Sequence, residues 1–188
     1  MAVAARYLQN KLGVKKVCIF DWDIHCGDGT QDIFYEDDTV LYVSMHRYDD
    51  NSFYPGDHKA SPKLFGKGKG YGYNWSFGYN TPDTKVGDLD YIYACHNFLF
   101  PKIAAFEPEV ILISSGFDSA LNDPLGGISL TPIGYAWMTH GLVKICPKVI
   151  TVLEGGYHLE NLSKCSEAVL LALHLHPDDD KGFSNMLT

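Results

Sequence analysis

Four stretches of the chain are almost wholly apolar: residues 17–20, 40–45, 110–115 and 149–153. Short unbroken apolar runs of this kind mark strands buried on both faces of a sheet. Residues 71–77 alternate and read as a further strand. Between the runs lie segments with helical spacing. Residues 2–12 predict a helix with Val3, Leu8 and Leu12 toward one side. A short helix is expected over 31–35, and a long one over 86–106 that Pro101 kinks or ends. Thr131 and Pro132 open another as N-cap and first helical residue, running to about Cys146. A closing helix begins at Asn161 or Ser163 and runs to His174, before a frayed acidic tail from 178 to 188. Strand and helix alternate, which implies a parallel sheet covered on both faces. The opening helix has no N-terminal cap signal and feeds straight into a central-looking strand. The chain therefore reads as the later part of a larger sheet domain, and its missing edge should expose apolar sheet and helix surface.

Composition narrows the class. The chain has 188 residues, 46% hydrophobic and 20% charged, which fits one folded domain and excludes wholesale disorder. Its formal charge of −8 argues against a broad nucleic-acid footprint, which needs clustered positive charge. A local acidic mouth still suits a cationic substrate. No apolar run is long enough for a transmembrane helix, and the first residues lack the pattern of a signal peptide. Cys18, Cys26, Cys95, Cys146 and Cys165 are irregularly spaced, so reduced thiols in an intracellular setting are expected. The N-x-S matches at Asn74 and Asn161 then carry no weight as glycosylation sites.

The candidate chemistry lies at strand ends, where open parallel sheets bind their ligands. After the first strand comes Asp21-Trp-Asp-Ile-His-Cys-Gly-Asp-Gly, and after the fourth Gly116-Phe-Asp-Ser. The latter leads into Asn122-Asp-Pro-Leu-Gly-Gly, and after the fifth strand comes Glu154-Gly-Gly-Tyr. In an extended segment residues i, i+2 and i+4 face one way, so Asp21, Asp23 and His25 can converge. Such a cluster is costly unless a cation compensates it, and a catalytic zinc takes three His, Asp or Glu ligands. Asp23 and His25 could supply two, and Asp118 the third from a neighbouring strand end. Spacing alone leaves a solvated turn with local hydrogen bonds open as well. A calcium loop is excluded, because its fifth, sixth and twelfth positions hold His25, Cys26 and Asp32. The run Gly66-Lys-Gly-Lys-Gly lacks the G-K-[ST] of a phosphate loop and reads as a mobile loop.

Four motifs in order carry a resemblance. They are Phe20-Asp-Trp-Asp-Ile-His-Cys-Gly-Asp-Gly-Thr-Gln, Leu41-Tyr-Val-Ser-Met-His-Arg-Tyr-Asp, Ser114-Ser-Gly-Phe-Asp-Ser and Leu153-Glu-Gly-Gly-Tyr. Together they resemble the zinc-dependent histone deacetylase family, nearer its class II branch of the type with a catalytic tyrosine. The resemblance implies a partial three-layer αβα fold of the arginase/deacetylase type. Residues 1–176 would be the C-terminal portion of the catalytic domain and 177–188 an acidic tail. It implies zinc ligation by Asp23, His25 and Asp118, and an oxyanion hydrogen bond from Tyr157. Tyr54 would line the acyl-lysine tunnel, and Gly155 and Gly156 would set the tyrosine's angle. Asp21 would orient a catalytic histidine. Asp21, Asp23, His25, Ser44 and Met45 would surround a structural monovalent cation such as K+. The implied substrates are acetylated lysines of histones or other proteins, with corepressor subunits as partners and a role in transcriptional repression in the nucleus, the cytoplasm or both. Neither direct nucleic-acid binding nor a membrane is implied.

The chain departs from the family pattern in three places. The paired histidines that act as general base and acid are absent, since no two of its eight histidines are adjacent. Cys26 and His158 stand where the family usually has histidine and asparagine. The expectation is a truncated catalytic domain. Three alternatives stay open: a catalytically silent domain that binds acetylated tails or partners, an arginase-like di-manganese enzyme, and an acetylpolyamine amidohydrolase. The arginase-like reading needs a second D-x-D cluster, and Asp118-Ser-Ala does not provide one.

Overall fold

The computed structural model describes residues 1–56, 60–61, 71–77 and 85–186. The Gly66–Lys–Gly–Lys–Gly70 run and His58 lie outside them. The element order is α1 (Ala2–Leu12), β1 (Val17–Asp21), α2 (Asp28–Phe34), β2 (Val40–Arg47), β3 (Tyr71–Phe77), α3 (Asp88–Ala94), α4 (Phe100–Phe106), β4 (Val110–Ser115), α5 (Pro132–Ile145), β5 (Val149–Leu153), α6 (Leu159–His174) and α7 (Asp180–Met186). The five strands form one parallel sheet in the order β3-β2-β1-β4-β5.

The period-2 alternation of side chains sorts each central strand between two cores. Val17 and Ile19 of β1, Val40 and Tyr42 of β2, and Val110 and Leu112 of β4 pack with Ala5 and Leu8 of α1 and Phe34 of α2. The intervening residues, Cys18, Phe20, Leu41, Val43, Ile111 and Ile113, pack with Tyr91, Ile103, Tyr135, Leu142 and Val169 from α3 to α6. Every residue of β1 and β4 is buried, which is why these runs contain nothing polar until their ends. Fully burying a side chain such as Phe20 contributes about 1.5–3 kcal/mol.

Register then sets the site. Asp21 is the partner of Ser44 on β2 and of Ser114 on β4, so three adjacent strands carry a polar residue at one level, at the carboxyl ends of β1 and β4.

Several elements differ from expectation for identifiable reasons. In α1 the inward residues are Ala5 and Leu8, while Val3 and Leu12 are exposed, because only the former reach the sheet. The long helix is split: five residues, Cys95–Leu99, form a π-helical turn between α3 and α4. Pro101 sits in the first turn of α4, where its missing N–H costs least, and the π turn accommodates it. The C-terminal segment is not frayed throughout, since α7 docks Phe183 against His140 on α5, with ring centroids 4.3 Å apart. The sheet is not covered along β5. This edge strand leaves Ile150 47% and Leu153 61% exposed, beside exposed Leu170 and Leu171 of α6. Among the described residues, no helix is long and apolar enough to cross a membrane.

Candidate metal centre at the carboxyl ends of the sheet

Beyond β1 the alternation continues through the turn. Trp22 and Ile24 are buried in the larger core, and the Ile24 amide donates to Asp118 Oδ1 at 2.8 Å. Asp23 and His25 are thereby directed to the opposite side. His25 Nδ1 lies 3.1 Å from Asp23 Oδ1 and 3.0 Å from Asp118 Oδ2. Asp118 is wholly buried, and Asp23 and His25 are half-buried. Among the described residues these three form the one group whose ligand atoms could hold a metal ion, all within 4.8 Å of one another.

Two glycines make the pocket this tight. A Cβ at Gly116 would lie 2.2 Å from Asp23 Oδ2, and one at Gly155 would lie 2.4 Å from Asp118 Oδ2. The Gly155 amide itself donates to Asp23 Oδ2 at 3.2 Å.

The electrostatics describe a pocket that wants positive charge. Burial opposes charging His25, but its hydrogen bonds with Asp118 and Asp23 prevail and push it up to about 9. Burial likewise opposes ionisation of Asp23, and hydrogen bonds with His25 outweigh it and hold this carboxyl below its ordinary value. For Asp118 burial wins, and its pKa is raised. Two carboxylates and an imidazole thus crowd one pocket where a divalent cation fits the donor set: three oxygen and nitrogen ligands with a side open to solvent.

Asp21 does not join this group. It is buried, and its carboxylate accepts from the Tyr42 hydroxyl at 2.8 Å and the Asp23 amide at 3.1 Å. Burial raises its pKa well above the usual carboxylate range. No histidine among the described residues hydrogen-bonds to it. Ser44 Oγ pairs with His46 Nδ1 at 2.8 Å, and Met45 Sδ lies 3.7 Å from Cys95 Sγ. The side chains of Ser44 and Met45 therefore face partners of their own. Cys26 is buried and outside the metal group.

The rim is aromatic. Phe53 stacks on the His25 ring at 5.1 Å and 9°, and Tyr54 meets it edge-on at 5.8 Å. Tyr157 is 54% exposed, and its phenol pKa is raised by burial and then by the carboxylates of Asp118, Asp23 and Asp123. Gly156 precedes it with φ of 124°, a conformation that favours glycine. His158 caps α6, its ring accepting from the Asn161 amide at 3.3 Å. Sequence reasoning missed two members, Phe53 and Asp123. Asp123 is buried, and its Oδ2 accepts the Tyr157 amide at 2.7 Å. Its place in a polar run after a strand end was the available signal.

Fold and pocket together define an α/β protein with a candidate metal pocket at the carboxyl ends of a parallel sheet. Relatives make this narrower. Residues 1–173 match the histone deacetylase domain. Histone deacetylase 5 of Arabidopsis thaliana is 42% identical over 181 residues, which covers 92% of this chain and 26% of that protein. Histone deacetylase 6 of Caenorhabditis elegans is 42% identical over 170 residues, covering 90% and 18%. The structure of the histone deacetylase Clr3 superposes with a TM-score of 0.84 at 36% identity, covering 98% of this chain and 33% of that one. The HDA15 HD domain gives 0.83 at 37% identity, covering 99% and 52%. The chain belongs to the histone deacetylase family, and its fold is the arginase/deacetylase-like α/β fold. It spans about a quarter of the length of Histone deacetylase 5.

Proposed function

We propose that this chain carries the zinc centre of a lysine deacetylase, which hydrolyses the acetyl–amide bond on lysine side chains of histones or other proteins in the nucleus or cytoplasm. One observation carries the reading: Asp23, His25 and Asp118 converge from two neighbouring strand ends into one pocket open to solvent. These three residues would hold the ion. Zinc in such a site supplies Lewis acidity, polarising the acyl carbonyl and activating water.

The chain's own groups would do the rest. Tyr157, exposed beside the pocket, would donate a hydrogen bond from its hydroxyl to the carbonyl oxygen as negative charge develops there. Tyr54 and Phe53, packed on His25, would wall one side of an apolar path for the lysine stem. The Gly155–Gly156 segment would let the acyl group approach where a side chain would block it. Asp21 would act through its hydrogen bond to the Asp23 amide. With Asp23, His25, Ser44 and Met45 it would frame a K+ site, and since the Ser44 hydroxyl is engaged with His46, Ser44 would contribute its carbonyl. An arginase-like second metal is disfavoured, because the second carboxylate of a D-x-D cluster would fall at position 120, which holds a buried alanine, Ala120.

A second reading is that the chain by itself binds acetylated lysine without turnover. It is favoured by one fact: among the described residues, no imidazole besides His25 hydrogen-bonds to the pocket carboxylates. Metal analysis, peptide binding and turnover of an acetyl-lysine peptide separate the readings. One zinc with acetate release supports the enzyme. One zinc with peptide binding and no acetate release supports the silent domain. No zinc and no peptide binding defeats both.

A further inference from the structure

Arg47 ends β2, far in sequence from Tyr157, yet a short chain of contacts joins them. Its guanidinium lies over the Phe53 ring at 4.1 Å, and that ring is the one stacked on His25. Its Nε donates to Asp49 Oδ2 at 2.7 Å, which fixes the plane of the fork, and Nη2 reaches the same carboxylate. Its Nη1 donates to the Gly126 carbonyl at 3.1 Å. The Gly126 amide in turn donates to Asp123 Oδ1 at 3.2 Å, and the Leu125 amide does so at 2.8 Å. The other oxygen of Asp123 accepts the Tyr157 amide at 2.7 Å.

Gly126 is also where this chain of contacts meets a candidate metal ligand. A Cβ there would lie 1.8 Å from the Asp118 carbonyl oxygen, so the turn packs backbone to backbone on Asp118. Arg47 therefore bears on His25 through Phe53, and on Asp118 and Tyr157 through Gly126 and Asp123. Among the described residues, the buried carboxylate of Asp123 is hydrogen-bonded by backbone amides alone, and one of them belongs to the tyrosine.

We propose that Arg47 and Asp123 are positioning residues that form a single brace, fixing Tyr157 relative to the Asp23–His25–Asp118 pocket. The proposal rests on the deacetylase reading for its catalytic consequence, but not for its structural one. Arginine suits the role because its rigid planar fork stacks on a ring while donating in two fixed directions, and lysine has no such plane. Misplacing a reacting group by about 1 Å costs about 10²-fold in rate, so a brace of this kind acts on turnover more than on affinity.

The test compares Arg47→Met, Arg47→Lys, Asp123→Asn and the Met/Asn double variant in the full chain. Amide hydrogen exchange at Tyr157 is read first, because it requires neither zinc nor turnover. Arg47→Met is expected to speed exchange at Tyr157, three contacts away, as Asp123→Asn does directly, and Arg47→Lys is expected to restore part of the protection. In active protein, kcat should fall about 10–100-fold with KM little changed, and the double variant should be within about threefold of the worse single one, because the residues act as one unit. Wild-type exchange at Tyr157 in Arg47→Met overturns the brace, as do fully multiplicative rate losses in the double variant. If the wild-type chain binds no zinc, the deacetylase reading fails while the exchange result still decides the brace.

Discussion

The backbone amide of Gly155 donates to the carboxylate of Asp23 at 3.2 Å, tying the end of β5 to the end of β1 across the intervening β4. This contact needs a residue without a side chain, since a Cβ there would lie 2.4 Å from Asp118 Oδ2 and 2.8 Å from Asp23 Oδ2. Gly155→Ala is therefore expected to displace both carboxylates. Changes next to metal ligands typically cost about 10–100-fold in metal affinity, and zinc competition against a chelating indicator measures that loss. Unchanged affinity would show that the carboxylates are not the ligands.

Zinc should stabilise the fold through the same pocket. A ligand present at about 100 times its Kd stabilises by about 2.7 kcal/mol. For a chain of this size, at about 2–4 °C per kcal/mol, that is an increase in Tm of roughly 5–11 °C. Asp118→Ala should abolish the increase while the protein still unfolds cooperatively. Calorimetry with and without zinc reads both.

The pocket also predicts a pH dependence with a definite sign. His25 has a folded pKa raised from 6.5 to about 9 in the metal-free protein. Its proton therefore stabilises the apo fold fully below about 6.5, and this contribution is lost as pH rises through about 9. Zinc competes with the same proton, so apparent zinc affinity should increase with pH across this window and level off above it. Calorimetric stability of the apo protein and buffered zinc titrations over that range should move in opposite directions. A flat zinc profile would exclude His25 as a ligand.

Tyr157 offers a separable test of chemistry. Its side chain is exposed, and what holds it is its backbone amide on Asp123, which Tyr157→Phe retains. This variant should keep the fold and the zinc affinity and lose about 10²–10³ in kcat, the usual effect of removing one oxyanion donor. Turnover of an acetyl-lysine peptide and a zinc titration on the same preparation distinguish this from a loss of structure.

The alternation of apolar residues in 17–24 by itself determined that Phe20, Trp22 and Ile24 turn inward, and hence that Asp23 and His25 face away from the core together. Local periodicity is written within a few residues, so strands, most helices and this pair were legible without a structure. Asp118 was placed as their partner by the polar break after β4, and the parallel register made that meeting geometrically direct. What lay between elements was not legible. The same alternation grouped Asp21 with Asp23 and His25, but its carboxylate is claimed by Tyr42, a residue of the neighbouring strand. Phe53 reached His25, and Asp123 reached Tyr157, only because loops from distant positions close over the carboxyl ends of the strands. Side-chain spacing repeats along one segment and is readable there. The partner of a buried polar atom depends on which strands lie side by side and in what register, and only the tertiary structure decides that.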